Sequence, residues 1–339
     1  MYLKELSQIS GVSGDERRVR NFIREKLEAW GIKNYVDTMG NLYAFKEGGT
    51  AGEQSLMLSA HMDEVGLMIS SIEKNGHLRF YLVGGVNKDF LVSKPVKIGS
   101  RGISGVIGAK AIHLQKKEER QKTLEVEQLY IDIGVKNKEE AEKHVKIGDY
   151  VTFDTTAEST DHYFRGKALD NRAGCAALLQ ILKRDYPFNF TAVFTVQEEV
   201  GIRGAKVAAY HVKPEIALII ETTLAVDVPG AKEQDHSTSL GSGPAFTLMD
   251  NSVITHPKLL ERLIEIAEQE KRPYQFRRYT GSFTDAGAVS VSRGGVISGV
   301  ISTPCRYIHT PVSQLCLDDW RHLVEIVDSF IRSVNIRGL

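Results

Sequence analysis

Cysteine is scarce in this chain of 339 residues: there are three, Cys175, Cys305 and Cys316. An odd number at wide spacing excludes a disulfide framework and a thiolate zinc site, and it points to a reducing compartment, the cytoplasm. An excess of charge of one sign is lacking too, since Lys+Arg and Asp+Glu each number 43. Such a balance leaves no electrostatic footprint for nucleic acid or an anionic membrane. No apolar run approaches the roughly 18 residues of a membrane span. The start, Met1 to Leu6, has no basic segment leading into an apolar core, so no secretory signal is expected. Several catalytic signatures are also missing: a Gly-x-Ser-x-Gly elbow, a Walker loop, a Gly-x-Gly-x-x-Gly turn and a His-Glu-x-x-His helix.

What remains is an ordinary globular composition, 42% hydrophobic and 25% charged. The length allows a large core and either two domains or one domain with an insertion. Ser13-Gly14-Asp15-Glu16 reads as a capping box opening a helix with Val19, Phe22, Ile23, Leu27 and Trp30 on its apolar face, stopped at Gly31. A hairpin around Gly40-Asn41 precedes an apolar strand, Leu56-Met57-Leu58, that runs into Ser59-Ala60-His61. From Leu67 to Phe164 the texture changes to short alternating strands: 67–72 and 78–83 flank the turn Asn75-Gly76, and 96–98 and 148–153 follow. Residues 115–127 read as a charged, solvated loop, and 138–144 as the one helical stretch of this block. Strands and helices then alternate: helix 173–183, strands 192–196 and 216–220, helix 257–269, strand 296–301 and a closing helix 317–334. The expected fold is α/β, a mixed and largely buried sheet flanked by helices, with a small all-β barrel-like insertion. Residues 1–66 and 165–339 would form the catalytic domain, and 67–164 the insertion.

The chemistry-bearing residues share one topological habit. His61 and Asp63, Glu198 and Glu199, Glu221, and His309 each follow an apolar strand, while Asp170 precedes a helix. Side chains at the carboxyl ends of strands in an open α/β sheet converge on one crevice. Each piece alone has an ordinary explanation: a surface pair for His61 and Asp63, a solvated Glu-Glu, a helix cap for Asp170, a turn for His309. A carboxylate such as Glu221 at the end of a buried apolar strand needs a partner, however. Imidazole and carboxylate without thiolate favours zinc, cobalt or manganese. Three carboxylates exceed what one zinc ion needs but suit two ions about 3.5–4 Å apart. With Glu198 the carboxylate charge matches two dications, and without cations so many like charges cannot all stay ionised.

Taken in order, five segments resemble the deblocking and glutamyl aminopeptidases, di-metal exopeptidases that include the tetrahedral aminopeptidases. They are Ser59-Ala60-His61-Met62-Asp63-Glu64-Val65-Gly66, Ala168-Leu169-Asp170-Asn171-Arg172, Gln197-Glu198-Glu199-Val200-Gly201, Glu221-Thr222-Thr223 through Asp227, and Arg306-Tyr307-Ile308-His309-Thr310-Pro311. The resemblance implies two divalent ions per subunit, zinc or cobalt before manganese. Asp170 would bridge them, with His61 and Glu221 completing one site and Glu199 and His309 the other. It makes Glu198 the general base on the metal-bridging water, and Asp63 the hydrogen-bond partner of His61. It also implies a cis peptide at Asp170-Asn171, peptide substrates with a free N-terminus, and dimers assembling into a twelve-subunit shell. The chain departs from the family in having Glu221 where Asp is commoner. It also has Ser282-Phe283 inside Gly281–Gly287 where Gly-Gly-Thr-Asp-Ala is commoner.

Other readings differ in kind. An N-acyl amino acid deacylase or dipeptidase on the same frame would need a cation for the substrate carboxylate, for which Arg172, Arg203 and Arg306 are candidates. A non-catalytic assembly protein would be expected to have lost the base or a ligand. A retaining glycosidase needs carboxyl groups about 5 Å apart across a glycosidic bond, whereas Glu198 and Glu199 are adjacent on one strand and diverge. The preferred N-terminal residue and the physiological metal stay open at this level.

Overall fold

The computed structural model describes residues 2–48, 55–117, 122–232 and 237–333. In chain order, α1 (Leu3–Gln8) and α2 (Arg17–Ala29) lead into β1 (Lys33–Val36), β2 (Leu42–Lys46) and β3 (Leu56–His61). A β-rich stretch follows: β4 (Gly66–Ile72), β5 (Leu78–Val83), β6 (Pro95–Ile98), β7 (Ile103–Ala109), β8 (Leu129–Asp132), the short α3 (Lys138–Ala141) and β9 (Tyr150–Phe153). Then come β10 (Glu158–Ser159), β11 (Tyr163–Gly166), α4 (Leu169–Leu182), β12 (Phe190–Thr195), α5 (Arg203–Val212) and β13 (Ile216–Leu224). The chain closes with β14 (Ala245–Thr247), α6 (Pro257–Gln269), β15 (Gln275–Arg277), α7 (Asp285–Ser290), β16 (Ile297–Arg306), β17 (Ser313–Cys316) and α8 (Leu317–Ser333).

Two sheets result. The larger, 11-stranded among the described residues, runs β1-β2-β12-β3-β13-β16-β17-β11-β10, with β14 and β15 branching from β16. Its centre is parallel: β3 lies between β12 and β13, and β13 pairs with β16 from Ile216↔Ile297 to Leu224↔Cys305. These strands are buried on both faces, so they read as continuous apolar runs rather than alternating ones. On one side α4 and α8 pack Leu178, Leu179, Leu323 and Phe330 into the main core; on the other, α5 and α7 cover Ala217, Ile219 and Val300. The second sheet is a closed antiparallel barrel, β4-β5-β8-β7-β6-β9, around its own core of Leu67, Ile69, Leu78, Ile98, Ile107 and Ile131. Closure leaves no free edge, which is how so small a sheet remains unpaired elsewhere.

Several expectations are modified. The strands within 67–164 do not all enter the barrel, because β10 and β11 join the large sheet through β17. The helix expected over 138–144 is the single turn α3, capped by Asn137. The strands expected over 216–220 and 296–301 extend to Leu224 and Arg306. Residues 118–121 of the charged loop and Val334 of the last helix lie outside the described residues. The capping box does not form. Glu16 sits at the start of α2 without a side-chain cap, and the Ser13 hydroxyl donates instead to Asp63 at 2.6 Å. The reason is register: α2 begins only at Arg17 with Glu16 at its cap position, so Ser13 lies three residues ahead of the helix end and its hydroxyl is left for Asp63. Glu16 accepts from the Gly14 and Gln197 amides at 2.7 and 3.1 Å.

Candidate metal centre

The parallel centre of the sheet brings the polar residues together. His61 ends β3, Glu198 and Glu199 follow β12, Glu221 lies in β13, and His309 follows β16. These four strands are neighbours in the order β12-β3-β13-β16, so their carboxyl ends open onto one crevice. Asp170 enters from the start of α4, where Asp170 and Asn171 depart from helical geometry and Ala168 takes φ +55°. The Asp170-Asn171 peptide is cis. Asn171 rather than Asp170 does the capping: its Oδ1 accepts from the Gly174 amide at 3.0 Å. The Asp170 carboxylate is thereby left for the crevice. Gly174 is required here, since a Cβ would lie 2.7 Å from the Ile220 carbonyl oxygen. This close approach lets the Asn171 amide donate to Ile220 O and to Glu221 Oε2, at 2.7 and 2.8 Å.

Asp170 lies between the two imidazoles. Its Oδ1 is 3.2 Å from His61 Nε2, and its Oδ2 is 3.6 Å from His309 Nε2. His61 Nε2 is also 3.6 Å from Glu221 Oε2, and His309 Nε2 is 3.1 Å from Glu199 Oε2. Two sets of donor atoms share Asp170, each within 4.8 Å: His61, Asp170 and Glu221, and Asp170, Glu199 and His309. A third set joins Glu198 to His61 and Glu199. Asp63 stands behind them. Its carboxylate accepts the Glu198 and Glu199 amides at 3.0 and 3.1 Å and lies 3.4 Å from His61 Nδ1. The barrel closes one side, with Gly85 so near that a Cβ there would sit 3.0 Å from His309 Nδ1.

Electrostatics in this cluster are under tension. Burial pushes the carboxyl groups of Glu198, Glu199 and Glu221 up, and the neighbouring carboxylates add to it. Burial opposes charge on His309 as well, yet Asp170 and Glu199 hold its imidazolium up at about 11. Asp170 stays below the usual carboxylate range despite its burial, because His309 and His61 donate to it. Two buried carboxylate oxygens, Glu199 Oε1 and Glu221 Oε1, find no hydrogen-bond partner. Buried polar atoms are rarely left so, and each costs about 1–3 kcal/mol. Imidazole nitrogens and carboxylate oxygens grouped at this spacing, two of the oxygens lacking a hydrogen-bond partner, could hold a divalent cation.

A cavity of about 730 Å³ opens from the cluster. None of the three arginines that a deacylase would call on lines it. Arg172 is fully buried, donating to the Leu6, Ile9, Gly11 and Met62 carbonyls and to Glu64. Arg306 forms a two-point pair with Asp227, and Arg203 bonds Gln197. The arginine on the cavity wall is Arg277, in a short strand that carries no motif. Asp285 lies in the Gly281–Gly287 segment noted in the sequence, but was given no role of its own there. It is buried at the start of α7, accepting from Thr195 Oγ1 at 2.5 Å.

A family model described as M42 glutamyl aminopeptidase matches residues 40–326. The solved aminopeptidase APDkam598 from the archaeon Desulfurococcus kamchatkensis superposes with a TM-score of 0.93 at 36% identity, covering 99% of this chain and 94% of that one. The Pyrococcus horikoshii TET1 peptidase, which can assemble into a tetrahedron or a large octahedral shell, superposes with a TM-score of 0.86 at 33% identity, covering 98% of each chain. A glutamyl aminopeptidase of Lactococcus lactis subsp. cremoris is 29% identical over 344 residues, 98% of this chain and 96% of that one.

Proposed function

The chain belongs to the M42 glutamyl aminopeptidase family and is a metal-dependent aminopeptidase, and from that premise we propose that Glu198 is its general base beside a pair of divalent ions. The observation that carries this reading is Asp170, whose two oxygens face His61 and His309 from opposite sides. His61, Asp170 and Glu221 would hold one ion, and Asp170, Glu199 and His309 the other. The thiolate-free donor set favours zinc or cobalt, with manganese next. When bound, the ions would lower the pKa of the attacking water, polarise the scissile carbonyl and bind the free α-amine of the substrate.

The remaining work falls to side chains of the chain. Glu198 lines the cavity with a carboxylate oxygen within 4.8 Å of the donor atoms of His61 and Glu199. From there it would take a proton from the attacking water and hand it to the leaving amine. Asp63 holds the Glu198-Glu199 backbone in place through two amides, and by facing Nδ1 it orients His61 so that Nε2 points into the cluster. Asn171 fixes Glu221 in the same way. Among the described residues no helix is long and apolar enough to cross a membrane. Cytoplasmic residence is supported by the three free, buried cysteines. Exposed apolar residues on the barrel segment, including Tyr81, Ile112 and Ile147, support a role for it in assembling dimers into a twelve-subunit shell.

Glu198→Gln is the test. It keeps size and polarity but removes the base, so turnover of aminoacyl-p-nitroanilides should fall by roughly 10²–10⁴-fold while metal content stays at the wild-type level. Near-normal turnover in that variant would sink the proposed role.

A further inference from the structure

The ladder of β12 with β3 ends at the pair Thr195↔His61. The next four residues, Val196 to Glu199, carry the base and one of the donor residues. Adjacent residues of an extended strand face opposite ways, yet Glu198, Glu199 and His61 each offer an atom within 4.8 Å of the others. The chain turns at Gln197, whose φ of +55° lies in the left-handed region that a residue with a Cβ rarely adopts. Such a turn persists only where its surroundings over-determine it.

Here they do so atom by atom. The Val196, Gln197 and Glu198 carbonyls accept from the Gly204, Arg203 and Ile202 amides at 3.0, 3.2 and 2.9 Å, all at the start of α5. The four amides go to side chains from three distant places. Val196 donates to Asn41 Oδ1 at 3.1 Å and Gln197 to Glu16 Oε1 at 3.1 Å, while Glu198 and Glu199 donate to the two oxygens of Asp63. Asn41 and Glu16 are buried, and neither lines the cavity. Asn41 is itself fixed, its Nδ2 donating to Asp37 at 2.8 Å and to the Gly204 carbonyl at 3.1 Å. Glu16 takes the Gly14 amide on the same oxygen, at 2.7 Å.

We propose that Glu16 and Asn41 are positioning residues for the reaction: together with Asp63 they hold four consecutive amides and so aim the Glu198 and Glu199 side chains at one point. The inference rests on the reading of Glu198 as base and Glu199 as metal ligand. Loss of either acceptor leaves a buried amide unpaired one or two residues ahead of Glu198, inside a turn that is strained already. The backbone then relaxes toward extended geometry and swings one of the two carboxylates away from the other. Asp63 fixes positions 198 and 199 but not the turn before them. Displacing a reacting group by about 1 Å can cost about 10²-fold in rate.

The test compares the full chain as wild type, Glu16→Met, Glu16→Gln and Asn41→Ala, at saturating metal and with rates normalised to folded protein. Methionine fills the same space without an acceptor, whereas glutamine keeps both bonds through its carbonyl oxygen. Glu16→Met and Asn41→Ala should each lower kcat for an aminoacyl-p-nitroanilide by roughly 10–100-fold with KM little changed. Glu16→Gln should recover most of that loss. In a Glu198→Gln background the same substitutions should alter the residual rate by less than about twofold, because residues acting through one group are not additive. A second readout needs no turnover: the dissociation constant for zinc, measured against a competing chelator, should rise by about tenfold in Glu16→Met through Glu199. Should Glu16→Met fail to fold, Asn41→Ala removes the acceptor of the adjacent amide and is read in the same way. Wild-type kcat and zinc affinity in both variants, or an equal fold-loss with and without Glu198, would overturn the proposal, since a residue that only supports the fold does not single out the base. Full turnover in Glu198→Gln alone would sink the base instead, and the zinc measurement would then decide for or against Glu16 and Asn41.

Discussion

Replacing Glu64 by glutamine takes one negative charge out of a buried cluster that contains two cations. Glu64 receives Lys167 Nζ at 2.6 and 2.7 Å, Arg172 at 3.2 Å and the Gly11 amide at 3.0 Å, and all three side chains are buried. The two cations respond differently. Lys167 can shed its proton: burial, outweighing the attraction of Glu64, has already pushed it down to about 8. At pH 7 that escape limits its share of the damage to about 1 kcal/mol. Arg172 cannot deprotonate, and losing a hydrogen bond to a charged partner costs about 1.5–3 kcal/mol. The expected total is about 3 kcal/mol at pH 7, within the range for breaking a buried ion pair. The sign of the pH dependence follows from proton counting. Between about 8 and the ordinary lysine value of 10.5 the unfolded chain binds more protons than the folded one, so wild-type stability rises with pH there. Without Glu64 the folded-state value drops further, and the extra penalty is paid only where the lysine of the wild type is still charged. The deficit should therefore grow toward pH 6 and shrink by about 1 kcal/mol by pH 10. Urea denaturation followed by circular dichroism, with chelator in both samples to remove metal linkage, measures it. A deficit under about 1 kcal/mol at pH 7, or one that is the same at pH 6 and pH 10, would refute the reasoning.

Two further outcomes concern the cluster itself. Asp170→Ala removes the residue common to both donor sets. Metal content by elemental analysis should fall at both sites together, and retention of one full equivalent would argue against a shared ligand. Ser13→Ala removes the 2.6 Å hydroxyl from Asp63, the carboxylate that carries the Glu198 and Glu199 amides. Metal affinity measured against a competing chelator should weaken by roughly 10–100-fold, although Ser13 touches none of the donor residues. An unchanged affinity would reduce Ser13 to a packing residue.

Much of this protein could be read along the chain because the relevant patterns are local. The apolar runs at Leu56–Leu58, 192–196, 216–220 and 296–301 announce buried parallel strands, and the helix over Pro257–Gln269 occupies the span its periodicity suggests. A polar residue at the end of each such strand is conspicuous, which is why His61, Glu198, Glu199, Glu221 and His309 could be named together. Side-chain partnerships across long separations were not legible. Ser13-Gly14-Asp15-Glu16 has the composition of a capping box, but the Ser13 hydroxyl bonds Asp63, fifty residues away in sequence. Asp170 resembles a helix cap until Asn171 is seen to hold that position.

The sequence by itself determined where the central parallel strands and the long helices α2, α4, α6 and α8 run and which residue types end those strands, because backbone preference and apolar periodicity act between near neighbours. Only the tertiary structure decided that β12, β3, β13 and β16 lie side by side and turn those ends into one cluster. It alone put Arg277 on the cavity wall with an unmet donor while burying Arg172 away from that cavity. Strand order and burial depend on how the whole chain packs, and no local pattern encodes which arginine loses its water.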